Sequence, residues 1–179
     1  SYYWHTATID LSAFANLVVE LRFSGSTTNS DKGDIAIDKF QVQVNSNQIT
    51  AIPDPNFEQA LINLGYDNIL DGSVITANIN TVTFLDVDSK GISDLTGIED
   101  FTSIFQINCN YNSLNFIDVS NNTALTELNC WGNQLTSLDV SNNTALEILS
   151  TGDEWGSSFG NPITFLDLTN NTSLIELYV

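Results

Sequence analysis

A six-residue phrase returns at fixed intervals in the second half of the chain and constrains the fold more than any other feature. Residues 120–125 read SNNTAL, residues 141–146 repeat the same letters 21 positions later, and residues 169–174 read TNNTSL. A unit that repeats at such a period cannot bury its apolar face alone, so successive copies must stack. The sequence therefore predicts a solenoid. Apolar LxxL segments follow the same period and begin at Val82, Ile104, Leu125, Leu146 and Leu174.

Each repeat divides into two halves of 10 and 11 residues. The first half has the pattern LxxLxC or LxxLxV and is followed by an asparagine, Asn112 or Asn133. The second half reads LNFIDV at 114–119 and LTSLDV at 135–140. Three or more aligned copies of this pattern are typical of a leucine-rich repeat. Residues 81–179 are therefore predicted to form leucine-rich repeats with the leucines pointing inward.

One helix is predicted ahead of the repeats. Residues 54–65 read DPNFEQALINLG, in which Asp54 can cap the first turn and Gly65 can end the last one. The predicted apolar face comprises Phe57, Leu61 and Leu64. A solenoid end exposes its core unless an extra element covers it, so residues 53–80 are interpreted as a helical cap. Residues 46–52 are interpreted as a linker.

The first 45 residues read as β-strands. Alternation of apolar and polar residues predicts strands near 6–11, 17–23 and 35–44. Three strands cannot close a sandwich alone, so residues 1–45 are expected to be the C-terminal part of a larger module that begins upstream. The segment GDIAIDKFQV, residues 33–42, resembles the last strands of jelly-roll modules of the MAM and concanavalin-like type, which occur in extracellular proteins.

The chain from residue 52 onward resembles bacterial leucine-rich repeat proteins with an internalin-like cap. The resemblance rests on IPDPNFEQAL in the cap, on LDVDSKGISDLTGIEDF at 85–101 as a first coil, and on the short 21-residue repeats. It implies a mainly β fold, a leucine-rich repeat solenoid with a short N-terminal capping helix, preceded by strands from a β-sandwich. It also implies a secreted or cell-surface recognition or adhesion segment. The sequence departs from the pattern at 151–162, where TGDEWGSSFGNP lengthens the fourth coil, and at its end within a repeat, where further repeats or a sorting signal are expected.

The excess of acidic side chains limits the kinds of partner that the chain can bind. The chain has 22 acidic and 4 basic side chains, and no Lys or Arg follows Lys90. Such a surface repels phosphate backbones and anionic membranes, which argues against a nucleic acid. The sequence also lacks an apolar run long enough for a membrane span. The remaining partners are a protein or a glycan on a cell surface or in the extracellular matrix.

The residues between the inward leucines are expected to form an outward strand face that contacts a ligand. Aromatic rings beside amides and acids suit sugars, and the same mixture suits protein interfaces. The alternative is that these side chains are solvated and bind nothing. The candidate contact residues are Asn108, Tyr111, Glu127, Asn129, Trp131, Ser150, Asp153, Trp155 and Tyr178.

Two groups of carboxylates raise the question of a metal. Asp34 and Asp38 lie at the turn of the jelly-roll-like segment, where similar modules often hold a structural Ca²⁺, so they are candidate ligands. Asp118, Asp139 and Asp167 form a second column whose mutual repulsion must be offset. Hydrogen bonds from neighbouring Ser, Thr and amide groups or a bound cation could offset it. No other cofactor is predicted.

Two further patterns have both a structural and a chemical interpretation. Cys109 and Cys130 occupy the same repeat position and are interpreted as free, buried thiols, with a disulfide between neighbouring coils as the alternative. Asn121, Asn142 and Asn170 each begin an N-x-T sequon. Their recurrence at one repeat position favours a structural role over glycan attachment.

No catalytic set is present in the sequence. The single histidine, His5, lies in the first segment, and the repeats contain none for a Ser, His and acid arrangement. We therefore predict a non-catalytic module for extracellular recognition or adhesion that binds through the strand face. The alternatives are a non-catalytic accessory region of a larger secreted hydrolase, and a structural spacer or filament segment.

Overall fold

The computed structural model describes residues 18–26, 36–45, 48–152 and 160–179. The chain divides into two compact units, Ser1–Asn47 and Gln48–Val179.

In the first unit, β1 (Val18–Ser26) pairs antiparallel with β2 (Ala36–Asn45). The register shifts between Ser24 and Gly25, where the ladder is irregular. Both strands fall where alternation predicts them, within a few residues. The third predicted strand, at 6–11, lies outside the described residues. The jelly-roll assignment therefore stays a prediction.

The second unit begins with a cap that contains more regular structure than the sequence predicts. β3 (Ile49–Ala51) pairs antiparallel with β4 (Ser73–Ile75), and the helices α1 (Pro55–Asn63) and α2 (Thr76–Ile79) follow β3 and β4. Ile52, which directly follows β3, is fully buried. Residues 48–52, predicted as part of a linker, thus belong to the cap, because β3 pairs with β4 and Ile52 is buried.

The capping helix has the predicted ends. Asp54 accepts hydrogen bonds at Oδ1 from the backbone N–H of Asn56 at 2.8 Å and of Phe57 at 3.1 Å. Gly65, two residues past the end, has a φ of +83°. Leu64, however, is 43% exposed, unlike its predicted place on the buried face. Leu64 is the C-cap residue of α1 and still donates its N–H to the Ala60 carbonyl at 3.0 Å, so a break in the helical period does not account for its exposure.

The repeats build a five-stranded parallel sheet in chain order. Each coil contributes one three-residue strand that pairs in register with the next, so equivalent positions of successive repeats lie side by side. In the first coil a 3₁₀ helix (Ile98–Asp100) follows the strand. The strands are β5 (Phe84–Asp86), β6 (Gln106–Asn108), β7 (Glu127–Asn129), β8 (Ile148–Ser150) and β9 (Glu176–Tyr178).

The repeat leucines form one continuous core with the cap. The predicted inward positions of the middle coils are buried, and the core extends into the cap through Ile52, Phe57 and Leu61. Burial of a Leu, Ile or Phe side chain contributes on the order of 1.5–3 kcal/mol each. Stacking coils of the same period therefore buries these side chains and stabilises the solenoid. Fully buried members in the repeats include Leu85, Ile107, Leu114, Leu125, Leu128, Leu135, Leu146 and Leu149.

A ladder of asparagines connects consecutive coils behind the strands. Asn133 donates from Nδ2 to the carbonyls of Cys109 at 2.9 Å and Cys130 at 2.8 Å, and its Oδ1 accepts from Leu114 N–H at 3.0 Å. Asn112 makes the same set of bonds one coil earlier. Asn161 makes the third set of these bonds, which the repeat period does not predict because the extended fourth coil places it 28 residues after Asn133. These amides satisfy backbone groups that a strand would otherwise leave unpaired.

A second asparagine column fills the corner that the SNNT phrase forms. Asn122, Asn143 and Asn171 are buried, and each donates from Nδ2 to carbonyl groups of the preceding coil. Among the described residues their Oδ1 atoms have no hydrogen-bond partner. The second Asn of each triplet is thus the one that the fold requires. The sequon positions Asn121, Asn142 and Asn170 are exposed.

The two cysteines lie side by side in the core and are not bridged. Cys109 and Cys130 are free and fully buried, and their Sγ atoms are 3.4 Å from the carbonyl oxygens of Asn129 and Ser150. Burial raises the pKa of the Cys130 thiol to about 12 and that of Cys109 well above its usual value. The prediction of free, buried thiols is confirmed.

This burial has a chemical consequence that can be measured. Both thiols are expected to resist a maleimide at neutral pH in the native protein, because they are protonated and inaccessible, and to react stoichiometrically in urea. Mass spectrometry of the alkylated protein counts the modified cysteines. Rapid labelling of the native chain would contradict this placement, and a failure to label after unfolding without reductant would point to a disulfide.

The cap and the first coil share one junction. The second carboxylate oxygen of Asp54 accepts from Ser93 N–H at 2.8 Å, Ser93 Oγ at 2.7 Å and Asp94 N–H at 3.1 Å. The rings of Phe57 and Phe101 stack with centroids 6.4 Å apart. One buried carboxylate thus caps α1 and binds the first coil at the same time.

Candidate functional site

Alternate residues of the repeat strands form two parallel rows on one surface, which we call the strand face. The register places Phe84, Gln106, Glu127, Ile148 and Glu176 in the first row. It places Asp86, Asn108, Asn129, Ser150 and Tyr178 in the second row. Parallel strands lie about 4.8 Å apart, so a ligand can span several coils along either row.

Polar side chains of the strand face orient one another. Asn108 donates from Nδ2 to Asp86 Oδ1 of the preceding coil at 3.1 Å, and Asn129 donates to Glu127 Oε1 of its own strand at 2.6 Å. These bonds fix which way each amide points and leave carboxylate lone pairs that can accept from a ligand. The strand face is therefore ordered before any partner arrives.

Two aromatic side chains form a corner beside the polar rows, which we call the aromatic corner. The ring centroids of Tyr111 and Trp131 are 4.1 Å apart, with the rings inclined by 59°. Tyr111 N–H donates to the Trp131 carbonyl at 2.9 Å, and Trp131 N–H donates to Asn110 Oδ1 at 3.0 Å. The Tyr111 side chain is 46% exposed. The corner thus presents a rigid apolar surface whose backbone is fixed by the neighbouring coil.

Gly132 makes the close approach of the two rings possible. Its φ is +67°, and a Cβ added there would lie 2.9 Å from Tyr111 Cδ1 and 3.2 Å from the Tyr111 nitrogen. Any side chain at this position would therefore displace Tyr111. The repeat period alone does not reveal this contact, because Tyr111 aligns with Gly132 and not with Trp131.

Gly132→Ala is expected to disrupt the aromatic corner and to destabilise the unit by about 2 kcal/mol, from left-handed backbone strain and overpacking. Near-UV circular dichroism should lose part of its aromatic signal, and thermal unfolding measures the loss of stability. Gly91→Ala is the matched control, because Gly91 has a similar φ of +72° and its added Cβ would meet nothing closer than 3.8 Å. Equal effects of the two substitutions would show that strain, and not contact with Tyr111, is the cause.

The structure brings together most of the predicted contact residues that it describes. Asn108, Glu127 and Asn129 lie in the two rows, with Tyr111 and Trp131 beside them, and Tyr178 lies at the far end, where its hydroxyl donates to Glu176 at 2.8 Å. Asp86 and Asn110 orient these residues, a role that strand alternation alone does not reveal.

Ser150 differs from its prediction as an exposed contact residue. It is only 7% exposed, and its Oγ donates to the Gly152 carbonyl at 2.9 Å. The bend into the extended fourth coil turns this hydroxyl back onto its own backbone. Asp153, Trp155 and Asp34 lie outside the described residues, and only the backbone of Asp38 is described, within β2. Their proposed roles in ligand or Ca²⁺ binding stay predictions.

The aspartate column of the second half-repeats is held by hydrogen bonds. Asp118, Asp139 and Asp167 each accept from the backbone N–H two residues later, at 2.9, 2.9 and 3.0 Å. Hydrogen bonds from Ser120, Ser141 and Thr169 lower the pKa of these carboxyl groups. Within the described part of the chain no group of three or more His, Cys, Asp or Glu side chains is arranged to hold a metal ion.

Fold and site together define a class: residues 48–179 form a leucine-rich repeat solenoid closed by a helical cap. Among curated proteins, the chain is similar to internalin J of Listeria monocytogenes serotype 4b (strain F2365), with 31% identity over 71 residues. That match covers 40% of this chain and 8% of internalin J. No protein-family model matches the sequence.

Solved structures from Listeria monocytogenes agree with this class. The functional domain of InlJ, described as including a cysteine ladder, superposes with a TM-score of 0.55 at 30% identity over 74% of this chain and 33% of that one. The internalin InlF gives a TM-score of 0.54 at 22% identity, covering 74% of this chain and 46% of that one. Internalin C2 gives 0.53 at 21% identity, covering 73% and 67%. The last two similarities concern the fold alone.

The comparisons therefore confirm the resemblance to bacterial, internalin-like leucine-rich repeat proteins. The chain spans about a third of the InlJ structure and less than a tenth of internalin J. Among the described residues, no helix is both long and apolar enough to cross a bilayer.

Proposed function

We propose that this chain is a non-catalytic recognition module of a secreted or cell-surface protein, and that it binds an extracellular protein through the strand face. The observation that carries this proposal is the aromatic corner beside an ordered polar face. Tyr and Trp are enriched at protein interfaces because one side chain supplies a large apolar area and a polar group. The similarity to internalin J, 31% identical over 71 residues, supports a surface protein of this class.

A glycan is the second candidate ligand, and the same corner favours it. An exposed aromatic ring can stack on the C–H face of a sugar, while Asn108, Asn129 and the acids Asp86 and Glu127 can bond its hydroxyls. The net charge of −18 disfavours anionic glycans and leaves neutral sugars.

The test compares the whole chain with variants in which an aromatic residue is replaced by the residue at the equivalent position of the preceding coil. Trp131→Asn installs the residue that Asn110 supplies one coil earlier, and Tyr111→Ser installs the residue of Ser89, whose φ of 56° is close to the 48° of Tyr111. Both variants are expected to fold. Each should weaken binding by about tenfold or more, because interface aromatic residues contribute on the order of 2 kcal/mol.

Binding is measured against a panel of extracellular proteins and a glycan array. Phe165→Ser is the control, because Phe165 is 76% exposed but belongs to the second half of its repeat. A ligand that is retained by the wild-type chain and by the control, but lost by both aromatic variants, supports the strand face. Ligands that survive both variants would contradict it. No retention on either panel would favour the spacer alternative, and a hydrolase domain in flanking sequence would favour the accessory-region alternative.

A further inference from the structure

A second surface, half a coil away from the strand face, has an exposed aromatic residue at its centre. Phe116 is 65% exposed although its neighbours Leu114 and Ile117 are buried. The equivalent residue of the next coil is Ser137 and that of the following coil is Phe165. Because the repeat accepts a serine at this position, the core does not require a phenylalanine there.

Two depressions meet at Phe116. One, of about 270 Å³, extends toward the next coil and reaches Asp139 and Asn142. The other, of about 350 Å³, extends toward the preceding coil and reaches Asp94 and Glu99. Phe116, Ile117 and Asp118 line both. The aromatic ring therefore forms a ridge between two concave surfaces that each carry carboxylates.

The part of the chain that lines the two depressions contains carboxylates and no basic residue. No Lys, Arg or His occurs between Gly91 and Val179, a stretch that contains all the residues of both depressions. Local hydrogen bonds hold the acids in place: Asp94 Oδ1 accepts from Thr96 N–H at 2.8 Å, and Glu99 Oε2 accepts from Gly97 N–H at 2.8 Å. The surface thus combines an exposed ring with fixed negative charge.

We propose that this surface, the Phe116 ridge with its two depressions, docks a basic segment of a partner protein, with an arginine stacked on the Phe116 ring and bonded to Asp118. A guanidinium group is planar and weakly hydrated, so it can stack on an aromatic face and donate two bonds to one carboxylate. Flanking basic side chains of the same segment enter the depressions toward Asp139 and toward Asp94 and Glu99.

A peptide segment fits this surface better than a free cation does. An arginine side chain can fill the groove beside the ring with its methylene groups and its planar guanidinium, whereas an inorganic ion has no such groups. The described carboxylates also form no group of three that could hold a metal ion. A nucleic acid or an anionic membrane would be repelled by the same charge. The strand face and the ridge belong to different halves of the repeat, so the two surfaces can be tested separately.

The experiment measures fluorescence anisotropy of a fluorescein-labelled hexa-arginine peptide with the whole chain and four variants. Phe116→Ser imports the serine of the next coil, and Asp118→Asn keeps an oxygen that can accept from Ser120 N–H at the same turn. Phe165→Ser and Asp167→Asn make the same changes at equivalent positions that line neither depression. Circular dichroism establishes that each variant is folded.

Phe116→Ser and Asp118→Asn are each expected to weaken binding about fivefold, while the two controls change it less than about twofold. Equal weakening by Asp118→Asn and Asp167→Asn, with no effect of Phe116→Ser, would mean diffuse attraction to an acidic protein and would overturn the proposal. A wild-type affinity for hexa-lysine equal to that for hexa-arginine would overturn the stacked arginine. Competition by spermine as effective as that by unlabelled hexa-arginine would overturn a protein segment as the occupant.

Discussion

Asp54→Ala is expected to lower the free energy of unfolding of the second unit by about 3 kcal/mol. The 5% exposed carboxylate caps α1 through two backbone N–H groups and holds the first coil through Ser93 and Asp94. Loss of an N-cap costs about 1 kcal/mol, and hydrogen bonds to a charged group contribute about 1.5–3 kcal/mol. Urea unfolding followed by tryptophan fluorescence measures the change.

Asp94→Ala is the control for this substitution. Asp94 is an exposed carboxylate at the same junction that bonds only Thr96 among the hydrogen bonds described, so its loss should cost less than about 1 kcal/mol. If the two variants were equally stable, Asp54 would not join the cap to the first coil.

The contribution of Asp54 is also expected to depend on pH. Burial raises the pKa of this carboxyl, but hydrogen bonds from Ser93, Phe57 and Asn56 outweigh it, so the net pKa lies below the ordinary value of 3.8. A depressed pKa in the folded state means that the stabilisation is present above the unfolded value and is lost as the pH falls through the folded one. The stability difference between wild type and Asp54→Ala should therefore be constant near neutral pH and shrink below about pH 3.8. A difference that grows on acidification would contradict this network.

Gly97→Ala is expected to cost about 2 to 4 kcal/mol, the other large effect. Gly97 has a φ of +103°, and an added Cβ would overlap Ile52 Cδ1 and lie 2.7 Å from the Ala51 carbonyl oxygen. A left-handed residue with a side chain costs roughly 1–2 kcal/mol, and overpacking adds about 1–3 kcal/mol. Because the contact includes backbone of β3, side-chain rotation alone cannot relieve it. Thermal unfolding should show a lower midpoint.

Gly65→Ala separates the two causes. Gly65 has a φ of +83° and an added Cβ would meet nothing within 4 Å, so this variant carries the backbone strain alone. Similar losses for both variants would mean that the first coil does not pack against β3 as closely as the structure shows.

The solenoid could be read from the sequence because its constraints are local and repeated. The LxxL spacing, the ladder residues Asn112 and Asn133, and the capping Asp54 each depend on positions within one coil or one helical turn. A period that recurs several times makes each copy support the others. The core and the single-strand-per-coil sheet follow from that pattern.

The parts that were missed depend on contacts between elements. β3 is too short to show a period, and it forms a strand only because β4 lies beside it. Ser150 occupies an outward position of its strand, but its hydroxyl bonds the Gly152 carbonyl at the start of the extended coil. Alternation along the strand does not predict this bond. Tyr111 and Trp131 lie one position out of register along the repeat, so their contact depends on the missing side chain of Gly132.

The central claim, that the strand face is the recognition surface, is tested most directly by site-specific photo-crosslinking. Phe84 lies on the strand face at 45% exposure and Phe165 lies in the second half of its repeat at 76% exposure, so p-benzoylphenylalanine can replace either one with little change in shape. After irradiation with a ligand retained by the wild-type chain, we expect adducts from position 84 and none above background from the more exposed position 165. Adducts from position 165 alone, or in equal yield from both, would contradict the account.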